Sequence, residues 1–371
     1  MKITPAQAKG RGARSNHSGR YEREQRDAFD DGWDPADDQP QPLRTEVAKE
    51  TARRIITRNQ SPDLPFDRSL NPYRGCEHGC SYCFARPTHA YLGLSPGLDF
   101  ETKLTVKPDA AAQLRRELSA KNYRCRPIAI GTNTDPYQPI ERAHGVMREV
   151  LETLQAFDHP VTIVTKGALV LRDLDLLEAM ARRGLVRVAL SVTTLDRRLA
   201  RAMEPRAAAP ARRLDAVRAL SEAGVPTGVM MAPIIPGLTD HEIEAVLKAA
   251  GEAGASWADY VTLRLPLEVT TLFQEWLAAA YPDRAKRVMK LVRDTQGGRD
   301  YDPAWCRRQR GSGPISHLIA QRFEAARRRA GLKEKSLEGL RTDLFHAPAA
   351  PSAQMSFGFG RTRRRRLPRA L

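Results

Sequence analysis

From about Asn71 onward, short runs of β-branched and aliphatic residues alternate with longer stretches in which apolar positions recur every three or four residues. Runs of this length suit buried strands, and the longer period marks amphipathic helices, so the texture reads as repeated strand–helix units and a parallel sheet. The runs are Pro127–Gly131, Val161–Thr165, Val186–Val192, Thr227–Met231 and Tyr260–Leu265. Helical patterns follow near 142–156, 173–183, 211–223 and 240–254, and another starts near Glu268. Asp173 and Asp240 stand where helix N-caps belong, Gly184 and Gly224 where helices stop. With a first strand around 68–73 there are about six units, fewer than the roughly eight of a closed barrel. The expected fold class is α/β, a partial parallel (β/α)6 TIM-type barrel with flexible N- and C-terminal extensions.

Residues 1–60 are polar, include DDGWDPADDQPQP and show no apolar period, which predicts a flexible arm. The barrel core is expected over 61–300, a helical extension over 301–345 and a basic disordered tail over 346–371. Composition supports a folded middle: of 371 residues, 41% are hydrophobic and 28% charged, as in ordinary globular proteins. No apolar run reaches the roughly 18 residues of a membrane span, and the N-terminus lacks the apolar centre of a signal peptide, so a cytoplasmic protein without a membrane partner is expected.

A net charge of +16 favours an acidic partner, of which nucleic acid is the commonest. An Arg- and Ala-rich composition inherited from a GC-rich genome is the competing source of that charge. Part of it sits in the tail, where Arg361, Arg363, Arg364, Arg365 and Arg366 cannot pack into a core.

Five cysteines are too few for a disulfide scaffold, and three of them, Cys76, Cys80 and Cys83, fall within eight residues, which in a reducing compartment points to metal. Their spacing is Cys-x3-Cys-x2-Cys, with Gly75 and Gly79 allowing a tight loop. A [4Fe-4S] cluster normally takes four cysteines, so a three-cysteine loop leaves one iron open for another ligand. Zinc held by the same cysteines with His78 or His89 is the alternative, although zinc sites more often show paired Cys-x2-Cys or Cys/His spacings.

On this motif, with the aromatic Tyr82 just before the last cysteine, the sequence resembles the radical S-adenosylmethionine superfamily. The resemblance implies that S-adenosyl-L-methionine binds the open iron and is cleaved reductively to a 5′-deoxyadenosyl radical, with a reductant such as flavodoxin or ferredoxin supplying the electron. Residues at the C-terminal strand ends should then hold the cofactor. The loop Gly131-Thr132-Asn133-Thr134-Asp135-Pro136 resembles that of the subgroup related to spore photoproduct lyase, which places Thr134 and Asp135 at the methionine end. By the same resemblance Lys166 meets the methionine carboxylate, and Ser191 and Thr193 meet the ribose. Where that subgroup carries a hydrogen-donating cysteine, Thr132 stands, so repair of the spore photoproduct itself is not expected.

These are cofactor- and metal-binding assignments, Tyr82 among the cofactor contacts, and no catalytic residue is assigned. Cys125 precedes its strand and should lie at the far end of the sheet; Cys306 sits in an Arg-rich segment beside Trp305. The partial likeness to a DNA photoproduct lyase, the charge and the tail make nucleic acid the leading substrate class. The peptide 354–359 resembles sliding-clamp-binding peptides, which would agree with work near DNA. The rival reading is a non-catalytic zinc- or Fe-S-bearing nucleic-acid-binding module.

Overall fold

Six of the apolar runs lie side by side as parallel strands in a computed structural model that describes residues 9–22 and 43–348. The strands in chain order are β1 (Glu46–Lys49), β2 (Ile56–Arg58), β3 (Arg68–Leu70), β4 (Tyr73–Arg74), β5 (Lys103–Val106), β6 (Ile128–Ile130), β7 (Val161–Thr165), β8 (Val186–Ser191), β9 (Thr227–Ile234) and β10 (Trp257–Thr262). The main sheet runs β10-β9-β8-β7-β6-β3-β2, parallel except for the antiparallel edge strand β2. A second sheet, β1-β5-β4, stands beside the first crossover. Helices Ala110–Leu118, Val146–Ala156, Leu174–Arg182, Pro210–Glu222 and Ile243–Glu252 make the returns between successive parallel strands. The α/β partial barrel expected from the chain pattern is the observed architecture.

Strand alternation sorts the two faces of the sheet. In β8, Val186, Val188 and Leu190 join the large core under the helices, while Ala189 packs on the other face with Met230 and Trp257. Met231 and Ile234 of β9 also lie in the large core, and Ile235 in a second cluster.

Three local expectations change. The last strand starts at Trp257 and ends at Thr262, because Leu263 and Leu265 leave the sheet to pack with Phe273 and Trp276 of the helix Val269–Ala280. A continuous apolar run does not show where the chain exchanges one core for another. Asp173 caps no helix with its side chain; its carboxylate accepts from Tyr137 Oη (3.1 Å) and the Arg172 guanidinium (2.9 Å). Asp240 instead accepts from the Gly237 amide (2.8 Å). Gly184 and Gly224 do end helices, with φ of +69° and +75°.

The polar arm is docked on the barrel at several of its described residues, although others stay exposed. Arg11, Gly12, Ala13 and Ser15 are buried, β1 pairs with β5, and the Ala52 and Ile55 amides donate to Asp109 (3.2 Å) and Glu117 (2.6 Å). A segment without apolar period is ordered here because strand pairing and half-buried carboxylates satisfy its backbone. The arginine run and the clamp-like peptide 354–359 lie outside the described residues. Among the described residues no helix is long and apolar enough to cross a membrane.

The outer edge of β10 is covered: the Thr262 amide donates to the Gln309 carbonyl (2.8 Å) and the Ala258 amide to that of Lys333 (3.1 Å). Arg308 then reaches the loop before β3, where its guanidinium meets both oxygens of Asp63 at 2.6 Å. This fork links the segment lining β10 to the opposite end of the main sheet. The Asp63 carboxyl is lowered below its ordinary value by the Arg308 hydrogen bonds, which outweigh burial. Arg308→Ala is expected to cost about 1–3 kcal/mol near neutral pH, read from urea denaturation. A carboxylate held down in the fold stabilises above its unfolded value of about 4, and that gain is lost as pH falls through the folded value. The difference between wild type and variant should therefore shrink in acid.

Candidate active site

The chain leaves β3 at Leu70 and turns through the cysteine loop at the C-terminal end of the parallel sheet. Gly75 and Gly79 take φ of +71° and +66°, and a Cβ would lie 2.6 Å from the Leu104 side chain at the first and 2.6 Å from Glu101 Oε2 at the second. The loop is held by its backbone. The Cys76 amide donates to the Phe100 carbonyl (3.0 Å). Gln138 brackets Cys76, accepting from the Glu77 amide (2.8 Å) and donating to the Gly75 carbonyl (3.2 Å). Arg86, fully buried, donates twice to the Cys80 carbonyl (3.0 and 2.9 Å).

Cys76 and Cys80 are buried and Cys83 half-buried, all three free. Burial pushes the Cys80 thiol up to about 12 and raises those of Cys76 and Cys83, and the thiols lie near enough to oppose one another's ionisation. Such a trio becomes thiolate only against a strong positive charge, which is the chemistry of an iron site. Among the described residues no three His, Cys, Asp or Glu side chains surround a point as ligands of one ion do. Of the histidines of the zinc alternative, His78 Nδ1 stands 3.4 Å from Asp135 Oδ2 without a hydrogen bond, and His89 Nε2 lies 2.9 Å from the Lys103 carbonyl while its Nδ1 has no hydrogen-bond partner among the described residues.

The strand-end residues divide into two groups. Thr134 and Asp135 are tied into the scaffold. Thr134 Oγ1 donates to the Tyr73 carbonyl (3.0 Å), and Asp135 accepts from the Thr165 hydroxyl (2.6 Å) and the Tyr137 and Lys166 amides (2.9 and 2.7 Å). Burial alone would raise the Asp135 carboxyl; His78 and these donors bring it down to about 2. Thr193 donates to Glu204 Oε1 (2.9 Å), and the Tyr82 hydroxyl donates to the same oxygen. Lys166 and Ser191 differ, since neither the ammonium nor the hydroxyl hydrogen-bonds among the described residues. The Lys166 ammonium lies 5.8 Å from the Tyr82 ring centre. Burial would depress it, but Cys80 and Glu204 raise it above its ordinary value.

Glu204 and Arg213 form the centre that sequence reasoning missed. Glu204, 2% exposed, accepts from Tyr82, Thr193 and Arg213. Arg213 also donates to the Ser191 carbonyl (2.8 Å) and that of Ala208 (2.7 Å). Burial opposes the charge on Glu204, yet Arg213 and Lys166 bring its carboxyl down to about 2. One signal was available: Arg213 shares the apolar face of its helix with Ala216, Val217 and Leu220, and an arginine in such a stripe requires a buried partner. Cys125, half-buried, precedes β6 at the far end of the sheet, and Cys306 is exposed.

A parallel partial barrel with a three-cysteine loop at its C-terminal strand ends defines a class, and comparison with known proteins agrees. The family model described as Radical SAM superfamily matches residues 70–250, and the chain belongs to that superfamily. Its members use a [4Fe-4S] cluster and S-adenosylmethionine and need a reductant; the protein is a radical SAM enzyme. An uncharacterized protein of Mycobacterium tuberculosis is 41% identical over 232 residues, 62% of this chain and 68% of the relative. An uncharacterized protein of Methanocaldococcus jannaschii is 26% identical over 240 residues, 65% and 85% of the two chains. Among solved structures, a spore photoproduct lyase mutant aligns with TM-score 0.56 at 17% identity, over 78% of this chain and 81% of that one. Spore photoproduct lyase complexed with dinucleoside spore photoproduct aligns with TM-score 0.55 at 16% identity over the same shares. The likeness is one of fold.

Arg213→Ala strands the buried Glu204 carboxylate and is expected to cost about 3–5 kcal/mol, read from chemical denaturation of the metal-free chain. Arg212→Ala, on the exposed face of the same helix, should change stability by less than about 0.5 kcal/mol.

Proposed function

We propose that Cys76, Cys80 and Cys83 hold the [4Fe-4S] cluster and that Lys166 and Ser191 meet S-adenosylmethionine, in an enzyme that starts radical chemistry on a nucleic acid. The observation that carries this reading is the combination at the strand ends of three free thiols, two buried and one half-buried, with an ammonium and a hydroxyl that the scaffold leaves unused. With both groups bound, the site supplies one-electron reductive cleavage of the sulfonium. The chain's own residues prepare that space. Lys166 presents positive charge where the methionine carboxylate would lie, and Ser191 offers a donor and acceptor for the ribose. Tyr82, Thr193, Thr134 and Asp135 keep the walls in place through their internal hydrogen bonds, and so act as positioning residues.

A nucleic-acid substrate draws support from the mouth of the barrel. Phe84 follows the last cysteine and is 43% exposed, with the Arg264 guanidinium 4.8 Å from its ring centre. Arg264 leaves the end of β10 and donates to the Tyr301 hydroxyl (3.3 Å). An exposed ring beside an arginine is a surface on which a nucleobase stacks. The net charge of +16 and the similarly folded lyase complexed with a dinucleoside point the same way. Thr132 in place of a cysteine separates this protein from repair of the spore photoproduct. A cytoplasmic location, where thiols stay reduced, and a small acidic reductant such as flavodoxin or ferredoxin complete the proposal.

Anaerobic reconstitution with iron and sulfide, followed by S-adenosylmethionine and dithionite, is expected to give 5′-deoxyadenosine, and none from the variant with Cys76, Cys80 and Cys83 all changed to Ala. Stoichiometric zinc and no 5′-deoxyadenosine would instead favour the binding module. Lys166→Met should raise the Kd for S-adenosylmethionine about 10-fold or more while the cluster spectrum is kept. Arg264→Ala should weaken binding of a single-stranded oligonucleotide about 10-fold at fixed salt; unchanged binding would remove the stacking surface from the proposal.

A further inference from the structure

Residues 9–22 precede every element of the barrel and yet lie against the cysteine loop. The joint is Glu101, whose side chain is completely buried. Its Oε2 accepts from the Gly12 amide (3.0 Å), and its Oε1 accepts from the Ala13 amide (2.8 Å) and from Arg86 Nη2 (2.5 Å). Arg86 is the residue that also holds the Cys80 carbonyl. Arg11 adds a hydrogen bond to the Glu101 carbonyl (3.0 Å). The fit is close enough to exclude a side chain at position 12, because a Cβ there would fall 1.7 Å from the Gly79 carbonyl oxygen, between the first two cysteines.

The other end of the segment is fastened to the helix Val269–Ala280 and its N-cap residue Glu268, and between the two ends Asn16 meets Asp99 on the short helix that carries Glu101. Ser15 Oγ donates to Glu275 Oε2 (2.6 Å) on the helix Val269–Ala280. Asn16 exchanges hydrogen bonds with Asp99, its Nδ2 donating to Oδ1 (3.1 Å) and its Oδ1 accepting from the Asp99 amide (3.1 Å). Arg20 Nε lies 2.6 Å from Glu268 Oε1. The segment therefore crosses from the cysteine loop to the helix that follows the last strand.

A buried carboxylate is tolerated only when its lone pairs are satisfied. Glu101 meets that condition with one guanidinium and two backbone amides, and both amides belong to the crossing segment. Lifting the segment would leave the carboxylate short of donors, loosen Arg86 and open the side of the loop on which Gly79 lies. We infer that residues 9–22 form a strap whose docking on Glu101 fixes the cysteine loop and seals its outward side, so that retention of the cluster depends on this N-terminal segment. Gly12 and Glu101 are positioning residues in this scheme. The inference rests on the assignment of the cluster to Cys76, Cys80 and Cys83.

The test compares three full-length chains after anaerobic reconstitution: wild type, Gly12→Val, which forces the strap off Gly79, and Ser15→Ala/Arg20→Ala, which loosens its far end from Glu275 and Glu268 and leaves the contacts to Glu101 and Asp99 in place. Iron and sulfide per chain are counted, release of iron to a ferrous chelator is timed, and thermal unfolding of the metal-free chains is followed by circular dichroism. Both variants are expected to lose iron at least about fivefold faster than wild type, the effect of losing roughly one charge-assisted hydrogen bond, with unfolding of the double variant little changed. Iron release at the wild-type rate from the folded double variant overturns the strap, and that variant decides the matter if Gly12→Val does not fold. A wild type that takes up no iron and sulfide fails earlier, at the cluster assignment, and the strap inference falls with it.

Discussion

Glu204 and Arg213 meet in a space from which water is excluded, and the geometry of the whole strand-end surface follows from that meeting. Neither ion is tolerable there alone, since an unpaired buried charge costs several kcal/mol. Their remaining valences are filled by the groups that must be placed: Tyr82 from the cysteine loop, Thr193 from the turn after β8, and the Ser191 carbonyl at the end of β8. One ion pair thereby sets the cysteine loop against the fourth of the six parallel strands and against the helix Pro210–Glu222. The loop's opposite flank is set by a second fully buried pair, Arg86 and Glu101. The thiols sit between these two clamps.

This arrangement separates polar groups that build from polar groups that remain available. Asp135 and Thr134, by type the obvious ligands of a polar cofactor, spend their hydrogen-bonding capacity on neighbouring backbone and hydroxyl groups. Lys166 and Ser191 do not. A site that must hold a reactive species without side reactions benefits when most of its side chains are already locked by their own network, because little reorganises on binding. The small number of unspent groups is then the more informative feature.

The basic composition also reads differently once the arginines are placed. Arg86, Arg213, Arg172 and Arg308 each pair with carboxylates in the interior or at the closure of the barrel. They join elements far apart in the chain, and their charge is neutralised locally. The positive balance lies elsewhere, and Arg264 stands over the exposed Phe84 ring.

Strand and helix order, the cysteine spacing and the glycines at the loop corners were legible in the chain, because each is a local property: periodicity reports which face is buried, and Cys-x3-Cys-x2-Cys with Gly75 and Gly79 can close on itself. The end of the last strand was not, since Leu263 and Leu265 remain apolar while changing from one core cluster to another. Nor was the order of the N-terminal arm. Its polar pattern matches a solvated chain, and acceptors for its amides come from residues distant in the chain, among them Glu101, Asp109 and Glu117. By itself the sequence determined the class of fold and the three thiols at its centre. Only the tertiary structure decided which charges neutralise one another and which strand-end groups stay free, because such partners are selected by proximity across the folded barrel, and spacing along the chain carries no record of it.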